Sequence, residues 1–324
     1  MTDLAVFQSM LAHERPERIL ADIPAYGLSY RGVNHEDAQG VGHDRPAGES
    51  WQDMWQVTWH KDLDDVMGFP QRHPLEDLED LDAFTFPDPD DPHIHGTILA
   101  QKQAYDERGL SGSLVLSGSH RDTLWERSYM LVGMEDMMAY FYTEPELVHA
   151  LLTRIMDFQL GMAKYYLQAG VQIVSLSDDM GTQHSLLLGE KIFDTFLMPQ
   201  YDRLISMYRK HGVRVNFHSC GHVQPLLSRF IALGIDILNP IQARANDLDA
   251  LRAATRGKLL LCGGVDSPTI ADGTPAEIDA LVKLRIEQLG RDGEYICTPD
   301  QHMPFTQENL DAWRLAVEKY GRLA

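Results

Sequence analysis

Residues 143–177, TEPELVHALLTRIMDFQLGMAKYYLQAGVQIVSLS, hold a complete structural phrase: a long amphipathic helix, a glycine, then a short apolar strand. Apolar residues recur every three to four positions as far as Ala169, which is the helical period. Thr143 with Glu146 three residues on predicts a capping box, Pro145 suits the first turn, and Gly170 suits the residue that ends the helix. The phrase recurs. FDTFLMPQYDRLISMYRKHG (193–212) leads into VRVNF, and VQPLLSRFIALG (223–234) into IDILNPI. DLDALRAATRG (247–257) leads into KLLLCGG, and TPAEIDALVKLRIEQLG (274–290), with a second capping box at Thr274 and Glu277, leads into EYICTP.

Helix–strand phrases in series imply parallel strands covered on both faces. A doubly wound open sheet and a (β/α)8 barrel both fit. No G-x-G-x-x-G follows a strand, which removes the dinucleotide reason for an open sheet. Upstream, RILADIPAYG (18–27) and GSLVLSGSH (112–120) can supply the first strands. The expectation is an α/β fold, a (β/α)8 TIM barrel forming one catalytic domain over 1–324. Roughly 30–100, rich in tryptophan (Trp51, Trp55, Trp59), proline and acid, is then an N-terminal cap or insertion.

Composition narrows the function. The chain has 324 residues, 44% hydrophobic and 23% charged, enough for a large core. No apolar run approaches the roughly 18 residues of a bilayer span, and the N-terminus does not read as a signal peptide, so a cytoplasmic protein is expected. With 48 acidic and 28 basic residues the net charge is −20, which argues against a nucleic-acid surface. The acidic run EDLEDLDAFTFPDPDDP (76–92) reads as a solvated face, or as a docking surface for a basic partner. Three cysteines, Cys220, Cys262 and Cys297, do not make a secreted disulfide framework. They are buried thiols, a nucleophile or metal ligands.

In a TIM barrel the chemistry sits at the C-terminal ends of the strands. There the sequence places His120, Asp178 and Asp179, His218 and Cys220, Asn239, Cys262 and Cys297. His218 and Cys220 lie at i and i+2, so their side chains share one side of an extended chain. Taken alone, a buried cysteine beside a hydrogen-bonded histidine explains the pair. A later strand-end thiol makes it instead a soft, three-ligand zinc set with an open fourth position, the pattern of a catalytic site.

NFHSCG (216–221), SLSDDMGTQHSLLLGEKIFDTFLMPQYDRLI (175–205) and CTPDQHMPFTQENLDAWRLAVEKYG (297–321) resemble the uroporphyrinogen decarboxylase superfamily. The branch they look most like is the zinc-dependent methyltransferases that work with corrinoid (cobalamin) proteins. HERPERIL (13–20) is compatible with it. The resemblance implies a barrel, Zn2+ held by His218, Cys220 and Cys297, and a corrinoid protein as partner. Cys262 then becomes a buried thiol behind the ligands. Asp178, Asp179, His120 and His222 become catalytic candidates at the rim, with His302 beside them, and one aspartate is expected to cap the loop MGTQHS. The metal-free decarboxylase branch uses an arginine pattern, R-x-x-G-R, near its first strand; here only Arg31 stands there.

The expected activity is methyl transfer between a small methylated compound, an aryl methyl ether being one choice, and a corrinoid protein. The alternatives are transfer from methylcorrinoid to a thiol, decarboxylation without metal, a zinc hydrolase, or a non-catalytic binding protein. Cap aromatics Trp51, Trp55, Trp59, Phe69, Phe84 and Phe86 read either as a pocket for an aryl donor or as the core of the insertion. A homodimer is compatible with the sequence, and neither a nucleic acid nor a membrane is expected as partner.

Overall fold

The structure, a computed structural model, describes residues 1–30, 45–64, 66–301 and 303–323. Strand β1 (Ala25–Leu28) opens the main sheet. The short strands β2 (Ser50–Gln52), β3 (Thr58–His60) and β4 (Phe69–Arg72) form a separate antiparallel sheet inside the expected insertion. The main sheet resumes with β5 (Val115–His120), β6 (Ile173–Ser177), β7 (Arg214–His218), β8 (Ile237–Ile241), β9 (Leu260–Gly263) and β10 (Tyr295–Ile296).

Strand order in this sheet is chain order, and every neighbouring pair is parallel. Leu20, just ahead of β1, makes a parallel bridge to Ile296, and its carbonyl accepts from the Cys297 N–H at 2.8 Å. The two edges of the sheet therefore meet. A closed parallel sheet with helices between its strands is the TIM-barrel architecture, here with seven strands among the described residues.

Side chains alternate across each strand, and the burial clusters show which alternate set points where. Leu20, Val115, Ile173, Ile237, Leu260 and Ile296 pack together with Val6, Phe7 and Met10 of the helix Asp3–Leu11. This is the inside of the barrel, closed at its N-terminal end by that helix. Each of Val6, Phe7 and Met10 is fully buried, worth about 1.5–3 kcal/mol apiece. Their strand neighbours Leu116, Val174, Leu176, Phe217 and Leu261 belong to the larger cluster shared with the surrounding helices. By the same alternation His218, Asn239 and Cys262 face inward, whereas His120, Tyr295 and Cys297 face the helices.

Helix punctuation largely follows the sequence. Gly170, Gly212, Gly234 and Gly257 all have φ between 68° and 79°, the left-handed conformation that favours glycine. The last phrase differs: Gly290 has φ −97°, and the left-handed turn falls at Gly293. The capping box at Thr274 and Glu277 is formed. The one at Thr143 is not. A helix already running from Met134 to Thr143 absorbs that residue, whose hydroxyl donates back to Ala139 O at 3.4 Å. Glu144 becomes the N-terminal residue of the next helix, Pro145–Ala169, without a side-chain cap.

The segment that carries the small antiparallel sheet is pinned to the barrel by a buried ion pair. Arg127, on the helix Trp125–Val132 after β5, donates to Asp53 Oδ2 at 2.9 Å and to Asp122 Oδ2 at 3.2 Å. Asp53 also accepts from the Trp59 indole at 3.0 Å and from the Trp55 and Val57 N–H groups. Trp51 and Trp59 are register partners and stack, and Trp55 packs on Phe86 and on Phe158 of the barrel helices. All three tryptophans are buried. They pack as core beneath the small antiparallel sheet, whereas Phe69 is exposed and Phe84 and Phe86 are half-buried. Among the described residues no helix is long and apolar enough to cross a membrane.

Candidate metal centre

Inward parity delivers His218 from the end of β7, and Cys220 follows on the same side. The imidazole Nε2 lies 3.6 Å from Cys220 Sγ and 3.8 Å from Asp179 Oδ1. One donor atom from each of the three residues falls within 4.8 Å of the other two, and all three residues are half-buried. Asp179 comes from the loop after β6, and its Oδ1 also accepts the Cys220 N–H at 2.8 Å.

Two glycines allow that approach. A Cβ on Gly221, where φ is +82°, would stand 2.2 Å from Gly181 O, and one on Gly181 would stand 2.5 Å from His222 N. The D-D-x-G and H-x-C-G motifs are thus two loops crossing backbone to backbone, tied by the Met180 N–H on Ser219 Oγ and the His222 N–H on Thr182 O.

Asn239 organises the back of the cluster. Its Oδ1 lies 3.1 Å from His218 Nδ1, and its amide Nδ2 donates to Cys262 Sγ at 3.1 Å. An acceptor on Nδ1 means that this nitrogen carries the proton and that Nε2 keeps its lone pair facing Cys220 and Asp179. Cys262 is buried, with its Sγ 3.6 Å from Thr298 Oγ1. Burial and the Asp179 carboxylate push the Cys220 thiol up to about 12. The protein's own charges therefore do not make a thiolate there; a bound cation would. Imidazole nitrogen, sulfur and carboxylate oxygen together suit a borderline-soft divalent ion such as zinc.

Several expected site residues lie elsewhere. Cys297 is not brought to His218 and Cys220. Strand β10 presents Ile296 to the barrel interior, so Cys297, one residue on, points outward into the helical layer beside Tyr295. There it is fully buried, and burial pushes its thiol up to about 12. Asp179 stands where a third ligand was expected, and the Gln301 amide approaches Cys220 Sγ at 3.9 Å.

His120 also faces outward and is wholly buried. Its Nδ1 is 2.7 Å from Gln159 Oε1 and its Nε2 is 2.6 Å from the Tyr208 hydroxyl, with burial lowering its pKa to about 4. A neutral imidazole sealed between helices is structural, not catalytic. His222 spends Nδ1 on Ala245 O at 2.7 Å and braces the crossing loops. His302 and Arg31 lie outside the described residues.

Asp178 is a cap, but not of the loop MGTQHS. Its carboxylate accepts the Leu124 N–H at 2.7 Å, the Glu126 N–H at 2.8 Å and the Tyr201 hydroxyl at 2.5 Å. It closes the N-terminus of the helix Trp125–Val132, whose own N-cap residue, Leu124, offers no side-chain acceptor. Burial nevertheless raises its pKa to about 7. The sequence reading missed Glu126. Burial, followed by Asp122, Asp178 and Asp179, holds its carboxyl well above the usual carboxylate range. Nothing local in DTLWER marked it; only the fold brings that helix start against the loop after β6.

With this geometry in place, comparison with known proteins decides the family. Residues 71–320 match the family model described as Uroporphyrinogen decarboxylase (URO-D). The chain belongs to the URO-D family. A solved methyltransferase from Methanosarcina mazei shares the fold, with a TM-score of 0.74, 99% of each chain covered and 16% identity. Among curated relatives, the methylcobamide:CoM methyltransferase MtbA of Methanosarcina mazei is 21% identical over 215 residues, covering 65% of this chain and 60% of that one. A uroporphyrinogen decarboxylase of Sodalis glossinidius is 25% identical over 232 residues, covering 67% of this chain and 61% of that one. The chain thus spans about 60% of the length of these curated URO-D-family relatives.

Proposed function

We propose that this URO-D-family protein is a zinc-containing methyltransferase that moves a methyl group between a small methylated compound and a corrinoid protein. The observation that carries the reading is the convergence of His218 Nε2, Cys220 Sγ and an Asp179 oxygen at the barrel mouth, with Asn239 fixing the imidazole tautomer. Metal-free decarboxylation has no use for a soft donor set of this kind. The likeness to MtbA and to the Methanosarcina mazei methyltransferase supports the same branch.

His218, Cys220 and Asp179 would hold the cation, whose Lewis acidity would make the heteroatom of a methyl donor a better leaving group. In that direction the methyl group leaves without the bonding pair, which stays on the heteroatom; cobalt(I) of the corrinoid supplies the new pair. The protein's share is positional. Asn239 holds the proton on His218 Nδ1, and Asp179 ties the Cys220 backbone into place. Glu126, biased towards its protonated form, stands by Asp178 and Asp179 as a proton source for the departing heteroatom.

The first donors to try are aryl methyl ethers, then methylamines and methyl thioethers. The relative's printed activity, methylcobamide to CoM, favours a second direction on the same site, with a thiol as acceptor. Zinc-loaded protein mixed with cob(I)alamin and each donor should yield the methylcobalamin spectrum, and methylcobalamin with thiols should lose it. No transfer in either direction across ethers, amines and thiols would sink the proposal.

A further inference from the structure

After β10 the chain turns across the barrel mouth, and two buried polar side chains fix that turn. Ser267 is fully buried and Asp300 is 6% exposed. Asp300 Oδ1 accepts the Ser267 N–H at 3.0 Å and the Ser267 hydroxyl at 2.8 Å, and Ser267 Oγ accepts the Gln301 N–H at 2.8 Å. The Asp300 N–H donates to Val265 O at 2.9 Å, beside the parallel bridge between Val265 and Pro299. Burying a carboxylate is costly unless it is well hydrogen-bonded. Here its bonds hold the backbone in place up to Gln301, whose own side chain is exposed.

That side chain reaches the metal centre. Gln301 Nε2 lies 3.9 Å from Cys220 Sγ, across 81 residues of sequence. A sulfur held on a cation can only accept, so the amide nitrogen, not the oxygen, is the atom that belongs against it. Among the described residues Gln301 is the one side chain that offers Sγ an N–H. His218 keeps its proton on Nδ1 and turns a bare Nε2 to the cluster, and Asp179 brings a carboxylate.

We propose that Gln301 is a positioning residue of the metal centre: its amide donates to the Cys220 sulfur, ties that sulfur to the rim and draws charge from it. The inference rests on the metal-centre reading and deepens it. A neutral thiol is a weak acceptor and a metal-held thiolate a strong one, so the contact belongs to the loaded site. Charge drawn into the N–H···S bond is charge that Cys220 no longer gives to the cation. Gln301 thereby favours polarisation of the donor heteroatom, as leaving-group activation requires. Ser267 and Asp300 act one step further out, by fixing where the Gln301 side chain starts.

The test uses the full chain loaded with cobalt(II), whose sulfur-to-metal charge-transfer band reports the electron density on Cys220. Gln301→Leu should move that band to longer wavelength, because a thiolate without the hydrogen bond gives up an electron more readily. It should also weaken zinc binding about two- to fivefold, the lower part of what one hydrogen bond is worth. Ser267→Ala should shift the band in the same direction with circular dichroism unchanged. An unmoved band in Gln301→Leu would overturn the proposal. So would the loss of one oxygen or nitrogen donor from the zinc X-ray absorption spectrum of that variant, which would make Gln301 a ligand instead. A band that is missing, or that survives Cys220→Ala, would refute the metal centre and this proposal together. A shifted band without methyl transfer to or from cobalamin would refute the proposed function and leave the role of Gln301 standing.

Discussion

Removing Asn239's side chain tests the metal centre without touching a ligand. Asn239→Ala deletes the 3.1 Å contact that keeps the proton on His218 Nδ1 and aims Nε2 at Cys220 and Asp179. It also deletes the amide donor to Cys262 Sγ. The His218 contact is of ordinary length and half-buried, so its net worth is about 0.5–1.5 kcal/mol, equivalent to about 2- to 13-fold in affinity. Partners that orient a ligating histidine are typically worth about 10- to 100-fold in metal affinity. The two ranges meet near tenfold, which is the expected loss of zinc affinity, read by competition against a chromophoric chelator at fixed pH. Asn239→Asp, which keeps an acceptor facing Nδ1, should recover most of it. Cys262→Ser should stay within about threefold of the wild type, because it leaves the His218 contact in place. An unchanged zinc affinity in Asn239→Ala would refute the account of how the site is organised, since no orientation would then depend on that contact.

The ligand set itself separates by single substitutions: Cys220→Ala should purify without zinc, whereas Cys297→Ser should keep one zinc per chain, as measured by elemental analysis. Zinc affinity should also rise with pH. The Cys220 thiol, held up to about 12, must lose its proton on binding, so the dissociation constant should fall about tenfold per pH unit between pH 7 and 9. A slope near two would mean that a second thiol ligates. Arg127→Leu leaves Asp53 and Asp122 buried without their cation and should cost about 3–5 kcal/mol in urea unfolding. The low end is expected, because Asp53 keeps the Trp55 and Val57 amides and the Trp59 indole. Asp178→Ala should destabilise the start of the helix Trp125–Val132 by about 1–2 kcal/mol, seen as faster amide exchange at Leu124 and Glu126.

Local chemistry made much of the molecule legible. Helical periodicity followed by glycine and an apolar strand is a short-range signal, and it located β6 to β10 and the parallel barrel. The His218–Cys220 pair was equally legible, because a strand places i and i+2 on one side whatever surrounds it. Thr143 failed as a cap for a reason also local in scale but invisible in pattern: the preceding helix continues through it.

What the sequence determined by itself was the set of parallel elements and the pair of soft donor side chains, His218 and Cys220, that one strand brings to its C-terminal end. Tertiary structure decided which side chain joins them as the third donor of the cluster, Asp179. Strand β10 has only two paired residues, too few to reveal from pattern alone that Ile296 faces inward and Cys297 outward. Asp178 and Asp179, adjacent in the chain, likewise part company, one to a helix start and one to the cluster. Two loops that meet at Gly181 and Gly221 make that division, and the contact spans 40 residues of sequence. Parity and long-range loop contact are properties of the closed barrel, which is why the third member of the donor cluster could be read only there.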